Sequence, residues 1–186
     1  MERGSTIMRP ARPSDYERIV EIATQAWTPI FAVWADMQRA ALGELVEEHL
    51  PEKTGADVRA FCEKHPDNVW VTELDGRVVG FITFRIDDQK RRGTIGYNAV
   101  DPAYTGQGIG TRQCARALEL FRQAGLRYAD VTTNHDEGHA SARRMYEKAG
   151  FVPVFISLRY MRVLQTTRQF TSQQGVNCYA ARCADK

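Results

Sequence analysis

The chain lacks an apolar run of membrane length and a signal-peptide pattern, so a cytoplasmic protein without a membrane partner is expected. It lacks an excess of either charge: 25 Lys and Arg stand against 23 Asp and Glu, a net charge of +2. That balance argues neither for nor against nucleic acid. Its only basic run, Lys90-Arg91-Arg92, is short and reads as a solvated hairpin tip, so no nucleic-acid partner is expected. The four cysteines (62, 114, 178 and 183) form no C-x-x-C pair, and no histidine stands at zinc-finger spacing, so no metal is expected. Cys114 falls within an amphipathic stretch and reads as a core thiol; Cys178 and Cys183 read as a free pair in a tail, with pairing or metal binding left open. No Ser/His/Asp or Cys/His signature calls for an enzyme nucleophile.

What is present is a globular composition, 43% hydrophobic and 26% charged over 186 residues, enough for one domain with a real core. The distinctive stretch runs Val100-Asp101-Pro102-Ala103-Tyr104-Thr105-Gly106-Gln107-Gly108-Ile109-Gly110-Thr111. An apolar run leads into it and an amphipathic segment comes after it, so three alternate glycines sit where a strand ends and a helix begins. A helix start offers unpaired N–H groups and the positive end of the macrodipole, and glycines let the backbone approach a phosphate. A P-loop would need lysine after its last glycine, and the chain has none there. A dinucleotide fingerprint would need glycine or alanine where Thr111 stands.

Period and punctuation give the remaining elements. Thr6 to Arg9 reads as a first strand, and Ser14-Asp15-Tyr16-Glu17 as a capping box opening a helix. Thr28-Pro29 reads as the start of a second helix, and Asp57 to Lys64 as a short third one. Residues 69–74 and 77–86 form a hairpin about Asp75-Gly76, with a strand at 94–100 beyond it. A helix after the glycine loop, a strand at 128–133 and a helix at 140–149 complete the pattern. One or two strands are then expected in Phe151–Ile156 and Leu158–Val163. The polar stretch 165–186 is expected to be a tail appended to a single domain, 6–164.

Residues 93 to 151 resemble the GNAT acetyltransferase family. Gly108 and Gly110 match the two small positions of its loop, (Arg or Gln)-x-x-Gly-x-(Gly or Ala), and Thr105 stands in the Arg/Gln position. His139-Ala140-Ser141-Ala142-Arg143-Arg144-Met145-Tyr146-Glu147-Lys148-Ala149-Gly150-Phe151 resembles the second motif, Asn-x-x-Ala-x-x-x-Tyr-x-Lys-x-Gly-Phe, with His139 in place of Asn. The resemblance implies an α/β fold: a mixed, mostly antiparallel sheet of six to seven strands with about four helices. Strands four and five would splay to admit acetyl-coenzyme A (acetyl-CoA), and the acceptor would enter from the opposite side.

The implied reaction is direct attack of an amine on the thioester. Asn98, Ala99 and Val100 would hold the pantetheine arm; Gly106, Gln107, Gly108, Ile109, Gly110 and Thr111 would hold the pyrophosphate; and His139 would contact the pantetheine. Tyr146 would protonate the departing thiolate or donate a hydrogen bond to it. No carboxylate lies within 94–100, so the base is sought at Glu73 or His135, with Asp136 and Glu137 as further candidates. Trp27, Phe31, Trp34 and Tyr97 are candidates for the acceptor pocket, although the first three are spaced as a core stripe would be. The acceptor would be a small-molecule or peptide amine, and a homodimer is allowed for. The alternative is a non-catalytic acyl-CoA-binding sensor or scaffold.

Overall fold

Five strands line up in chain order in the computed structural model, which describes residues 6–164. They are β1 (Thr6–Pro10), β2 (Val69–Leu74), β3 (Arg77–Asp87), β4 (Arg92–Val100) and β5 (Tyr128–Val131). Four helices accompany them: α1 (Tyr16–Leu42) and α2 (Pro51–Lys64) between β1 and β2, α3 (Ile109–Gln123) between β4 and β5, and α4 (Ala140–Lys148) after β5. The first four strands pair antiparallel and β4 pairs parallel with β5, so the sheet is mixed and mostly antiparallel, as expected. Hairpin β2–β3 turns at Asp75 and Gly76, whose φ angles of 49° and 80° are those a two-residue turn of this hand requires.

β3 is buried on both faces and divides the core in two. On one face Phe81 joins Val71, Ile19, Ile22, Val58 and Cys62 beneath α1 and α2. On the other, Ile82 and Phe84 meet Ile95, Cys114, Ala117, Phe121 and Tyr146 beneath α3 and α4. The free thiols of Cys62 and Cys114 are both buried, and burial pushes each up to about 11, so both stay protonated fillers of the core. Gly93 is required where α3 crosses β4, because a Cβ there would stand 2.4 Å from the Phe121 ring.

Three expectations are corrected. The chain does not restart a helix at Thr28-Pro29: α1 is one helix of 27 residues with Pro29 inside it. Proline removes one N–H, but the Thr28 hydroxyl donates to the Thr24 carbonyl at 2.8 Å and the apolar stripe continues across the junction. The helix entry is organised by Asp15 rather than Ser14; its carboxylate accepts from the Arg12 backbone N–H at 2.7 Å and from Arg9 at 2.7 Å. Finally, the described residues contain five strands rather than six or seven. Phe151–Ile156 and Leu158–Val163 are apolar but unpaired, with Val154, Phe155 and Tyr160 more than four-fifths exposed. Apolar alternation needs a partner edge to become a strand, and Pro153 lacks the donor a ladder would use. Residues 165–186, with Cys178 and Cys183, lie outside the described residues.

Candidate active site

The last turn of pairing between β4 and β5 joins Ile95 to Val131. Beyond it the strands part, and residues 96–100 of β4 have no partner on the β5 side. The same stretch carries a bulge. Register against β3 slips between Ile82 and Phe84, and the Tyr97 N–H turns to the Thr83 hydroxyl at 2.8 Å. A bulge bends a strand and re-aims the residues beyond it, here Asn98, Ala99 and Val100. Polar atoms at this gap are left over: the Asn98 amide nitrogen and oxygen and the Thr133 hydroxyl are buried without a hydrogen-bond partner. Buried polar groups are normally paired, so a gap lined with unpaired ones fits a polar ligand such as a pantetheine arm.

The glycine loop continues from the same strand. Asp101 closes β4: its N–H goes to Val79, its carboxylate caps Ala103 at 2.8 Å, and it is ion-paired with Arg18 of α1. Thr105, in the Arg/Gln position, donates its hydroxyl back to the Pro102 carbonyl at 3.0 Å. Gly106 and Gly108 have φ of 78° and 73°, conformations that disfavour side chains, and a Cβ at Gly106 would meet nothing within 4 Å. Gly108 is the N-cap of the 15-residue α3, whose first N–H groups face the open side of the loop. Gly110 serves packing instead, since a Cβ there would approach the Met145 sulfur to 3.3 Å; its absence lets α3 and α4 close up. Arg112, not anticipated from sequence, folds back to donate to the Gln107 carbonyl at 3.0 Å and places a cation beside the loop. Only its position four residues after Gly108, one helical turn on, could have signalled it. An anionic pyrophosphate suits this cradle.

Tyr146 of α4 is buried beside Asn98 in the core beneath α3 and α4, 8% exposed. Burial pushes its hydroxyl up to about 12, with the Cys114 thiol adding to the rise and Asn98 moderating it. Asn98 is thus the polar neighbour of this hydroxyl, although its amide atoms complete no hydrogen bond of ordinary geometry. Phe151 braces the ring edge-on at 5.7 Å.

The other candidates separate into those brought near the gap and those kept from it. Glu73 stands two strands from β4, paired with Arg9 at 2.8 Å. His135 and Glu137 are exposed. Trp27 and Tyr97 meet edge-on at 5.8 Å and pack on the α1–α2 core, and burial raises the Tyr97 hydroxyl. Phe31 and Trp34 instead join a cluster with His49 and His139. Ring centroids are 5.2 Å apart for Phe31–Trp34, 4.8 Å for Trp34–His49 and 6.0 Å for the stacked Trp34–His139 pair. Gln38 positions His49 by accepting from the N–H groups of Val46 and Glu47 and donating to the Glu47 carbonyl. At the centre is buried Asp136, which accepts from Trp34 Nε1 at 2.9 Å and from His139 Nδ1 at 2.9 Å. Burial alone would push its carboxyl up, but the Trp34 and His139 bonds outweigh burial and hold it below the usual carboxylate value.

A strand ending in a glycine-rich helix start, beside a gap between two parting parallel strands and under a helix carrying a buried tyrosine, is the arrangement of an acyltransferase fold. The model of the Acetyltransferase (GNAT) family matches residues 27–151, and the chain belongs to that family. It is 43% identical over 70 residues to the N-alpha-acetyltransferase RimI of Mycobacterium tuberculosis, a stretch covering 38% of this chain and 39% of that protein. It is 27% identical over 150 residues to the S-(2-succino)cysteine N-acetyltransferase of Bacillus subtilis, covering 77% of this chain and 82% of that protein. The first curated relatives it matches are thus spanned to well under two thirds of their length. Among solved structures, a GNAT family acetyltransferase from Brucella melitensis in complex with acetyl-CoA shares the fold with a TM-score of 0.57 at 23% identity, covering 81% of this chain and 84% of that one. Among the described residues, no helix is long and apolar enough to cross a membrane, and no group of three or more His, Cys, Asp or Glu could hold a metal ion.

Proposed function

We propose that this chain transfers an acetyl group from acetyl-CoA to a primary amine by direct attack. The observation that carries the reading is the coincidence of the three features above: the parted strands with their unpaired Asn98 and Thr133, the glycine cradle, and Tyr146 in between. Loop residues 106–111 with Arg112 hold the pyrophosphate, and the free side of β4 at 98–100 holds the pantetheine arm and polarises the thioester carbonyl. Attack makes the C–N bond, breaks the C–S bond and leaves a thiolate.

The environment of Tyr146 sharpens its role. Burial pushes its hydroxyl up to about 12, well above neutral pH. Tyr146 thus stays protonated and able to protonate the leaving thiolate or to donate a hydrogen bond to it. The acceptor belongs to the small-molecule or peptide amines; the relatives' names direct attention to α-amino groups.

The test is thiol release from acetyl-CoA with pooled acceptors: polyamines, amino acids including S-substituted cysteines, aminoglycosides, and short peptides with free N-termini. Amine-dependent release is expected from at least one pool. Coenzyme binding without release from any pool would instead support a non-catalytic acyl-CoA sensor.

A further inference from the structure

We infer that His139, clamped by Asp136 and Trp34 on the connection from β5 to α4, is the group that takes the proton from the acceptor amine; the inference rests on the transferase reading. The His139 Nδ1–H donates to both carboxylate oxygens of Asp136, at 2.9 and 3.0 Å. This bond fixes the proton on Nδ1 and leaves the lone pair on Nε2, which has no partner among the described residues. The carboxylate is itself fixed, because Trp34 Nε1 occupies Oδ2 at 2.9 Å. The Trp34 ring lies nearly parallel to the imidazole, at 24°, and limits its tilt. Asp136 also caps the turn through the His139 backbone N–H at 3.1 Å, but a cap needs only that bond. Here the carboxylate receives two further side-chain donors from separate elements and is nearly inaccessible.

Position supports the same role. His139 ends the short turn Glu137–His139, which abuts α1 so closely that a Cβ at Gly138 would stand 3.4 Å from the Ile30 Cα. Thr133, with its unpaired buried hydroxyl, lies on the same connection. Tyr146 comes seven residues later, on the helix whose N-cap is His139. A base at one end and a thiolate-stabilising hydroxyl at the other would bracket the reacting atoms. The titratable and charged groups facing His139 are Asp136 on its own turn, Arg143 of α4, which donates to the Asn134 and Asp136 carbonyls, and His49 across Trp34. Glu73, by contrast, is held by Arg9, and His135 is exposed.

The step balances. An ammonium gives one proton to His139 Nε2, which passes it to solvent. The resulting amine attacks the thioester carbonyl, the new C–N bond replaces the C–S bond, and the second N–H proton ends on the thiolate. The products are an amide, a free thiol and one released proton.

The test compares His139→Asn with wild type, using an amine from a responding pool. Acetyl-CoA affinity by calorimetry is expected to stay within about threefold. kcat/KM for the amine is expected to fall about 100-fold. Added imidazole should restore part of the rate to His139→Ala. His139→Gln repeats the comparison if the asparagine variant fails to fold. A variant with wild-type rate, or no rescue by imidazole, would overturn the inference, as would a loss of acetyl-CoA affinity matching the loss of rate, which would make His139 a pantetheine contact. Coenzyme binding by wild type with no amine-dependent release would remove the transferase reading, and this inference with it.

Discussion

The two sides of the candidate site are built in opposite ways. The side proposed for the coenzyme is contiguous, residues 98–112, and consists largely of backbone: a bulged strand end, two glycines at positive φ and the start of a helix. The side proposed for the acceptor gathers side chains from α1, the 43–50 loop and the turn before α4, with Phe31, Trp34, His49, Asp136 and His139 linked in one cluster. Backbone recognition of a common ligand depends on conformation and tolerates little change in sequence spacing. Side-chain recognition depends on which residues the fold brings together. The two sides should therefore fail independently when each is broken.

The largest effect belongs to the coenzyme side. Gly108→Val puts a branched side chain into the open cradle and should weaken acetyl-CoA binding at least 100-fold, as read by calorimetry. Backbone strain at positive φ, about 1–2 kcal/mol, is controlled by Gly125→Val. Gly125 has φ of 70°, with nothing within 4 Å of a Cβ, and lies away from the loop. Equal binding losses in both would reduce the effect to strain. Next, Tyr146→Phe removes one hydrogen bond to a developing anion and should lower kcat about 10- to 100-fold with acetyl-CoA affinity unchanged. An unaltered kcat would take the hydroxyl out of the chemistry.

A third variant breaks the fold without touching either side. Gly93→Ala drives a methyl group into the Phe121 ring and should cost about 1–3 kcal/mol in denaturant unfolding, with acetyl-CoA affinity preserved once folded. A neutral result would mean that α3 can shift off β4. The smallest effect concerns acid. Because the Asp136 carboxyl is held below its ordinary value, its contribution is present above about pH 4 and lost as pH falls through the lowered value. The Tm gap between wild type and Asp136→Asn should therefore be wide near pH 6 and narrow towards pH 3. A gap independent of pH would show that the carboxylate charge is not what its partners stabilise.

Legibility in the sequence divides along the same line. The Asp75-Gly76 hairpin, the glycine cradle and the tyrosine helix all rest on local chemistry, and the structure has them where the residues placed them. Pro29 misled because its usual meaning as a helix start was overridden by a stripe continuing beyond it and by the Thr28 hydroxyl. The apolar pattern after Phe151 misled because a strand requires a partner edge, and period alone does not supply one. Asp136 was visible only as one of several candidate carboxylates, and His139 only as a substitution within a motif with an implied pantetheine contact. Their pairing, and the reach of Trp34 across 102 positions to the same carboxylate, are properties of the folded chain.

The most direct measurement is calorimetric titration of acetyl-CoA into wild type, Gly108→Val and His139→Asn side by side. Wild type and His139→Asn should bind with closely similar affinity, and Gly108→Val should show no measurable heat of binding. Binding retained in Gly108→Val, or lost in His139→Asn, would contradict the division of the site into a backbone cradle for the coenzyme and a side-chain cluster for the acceptor.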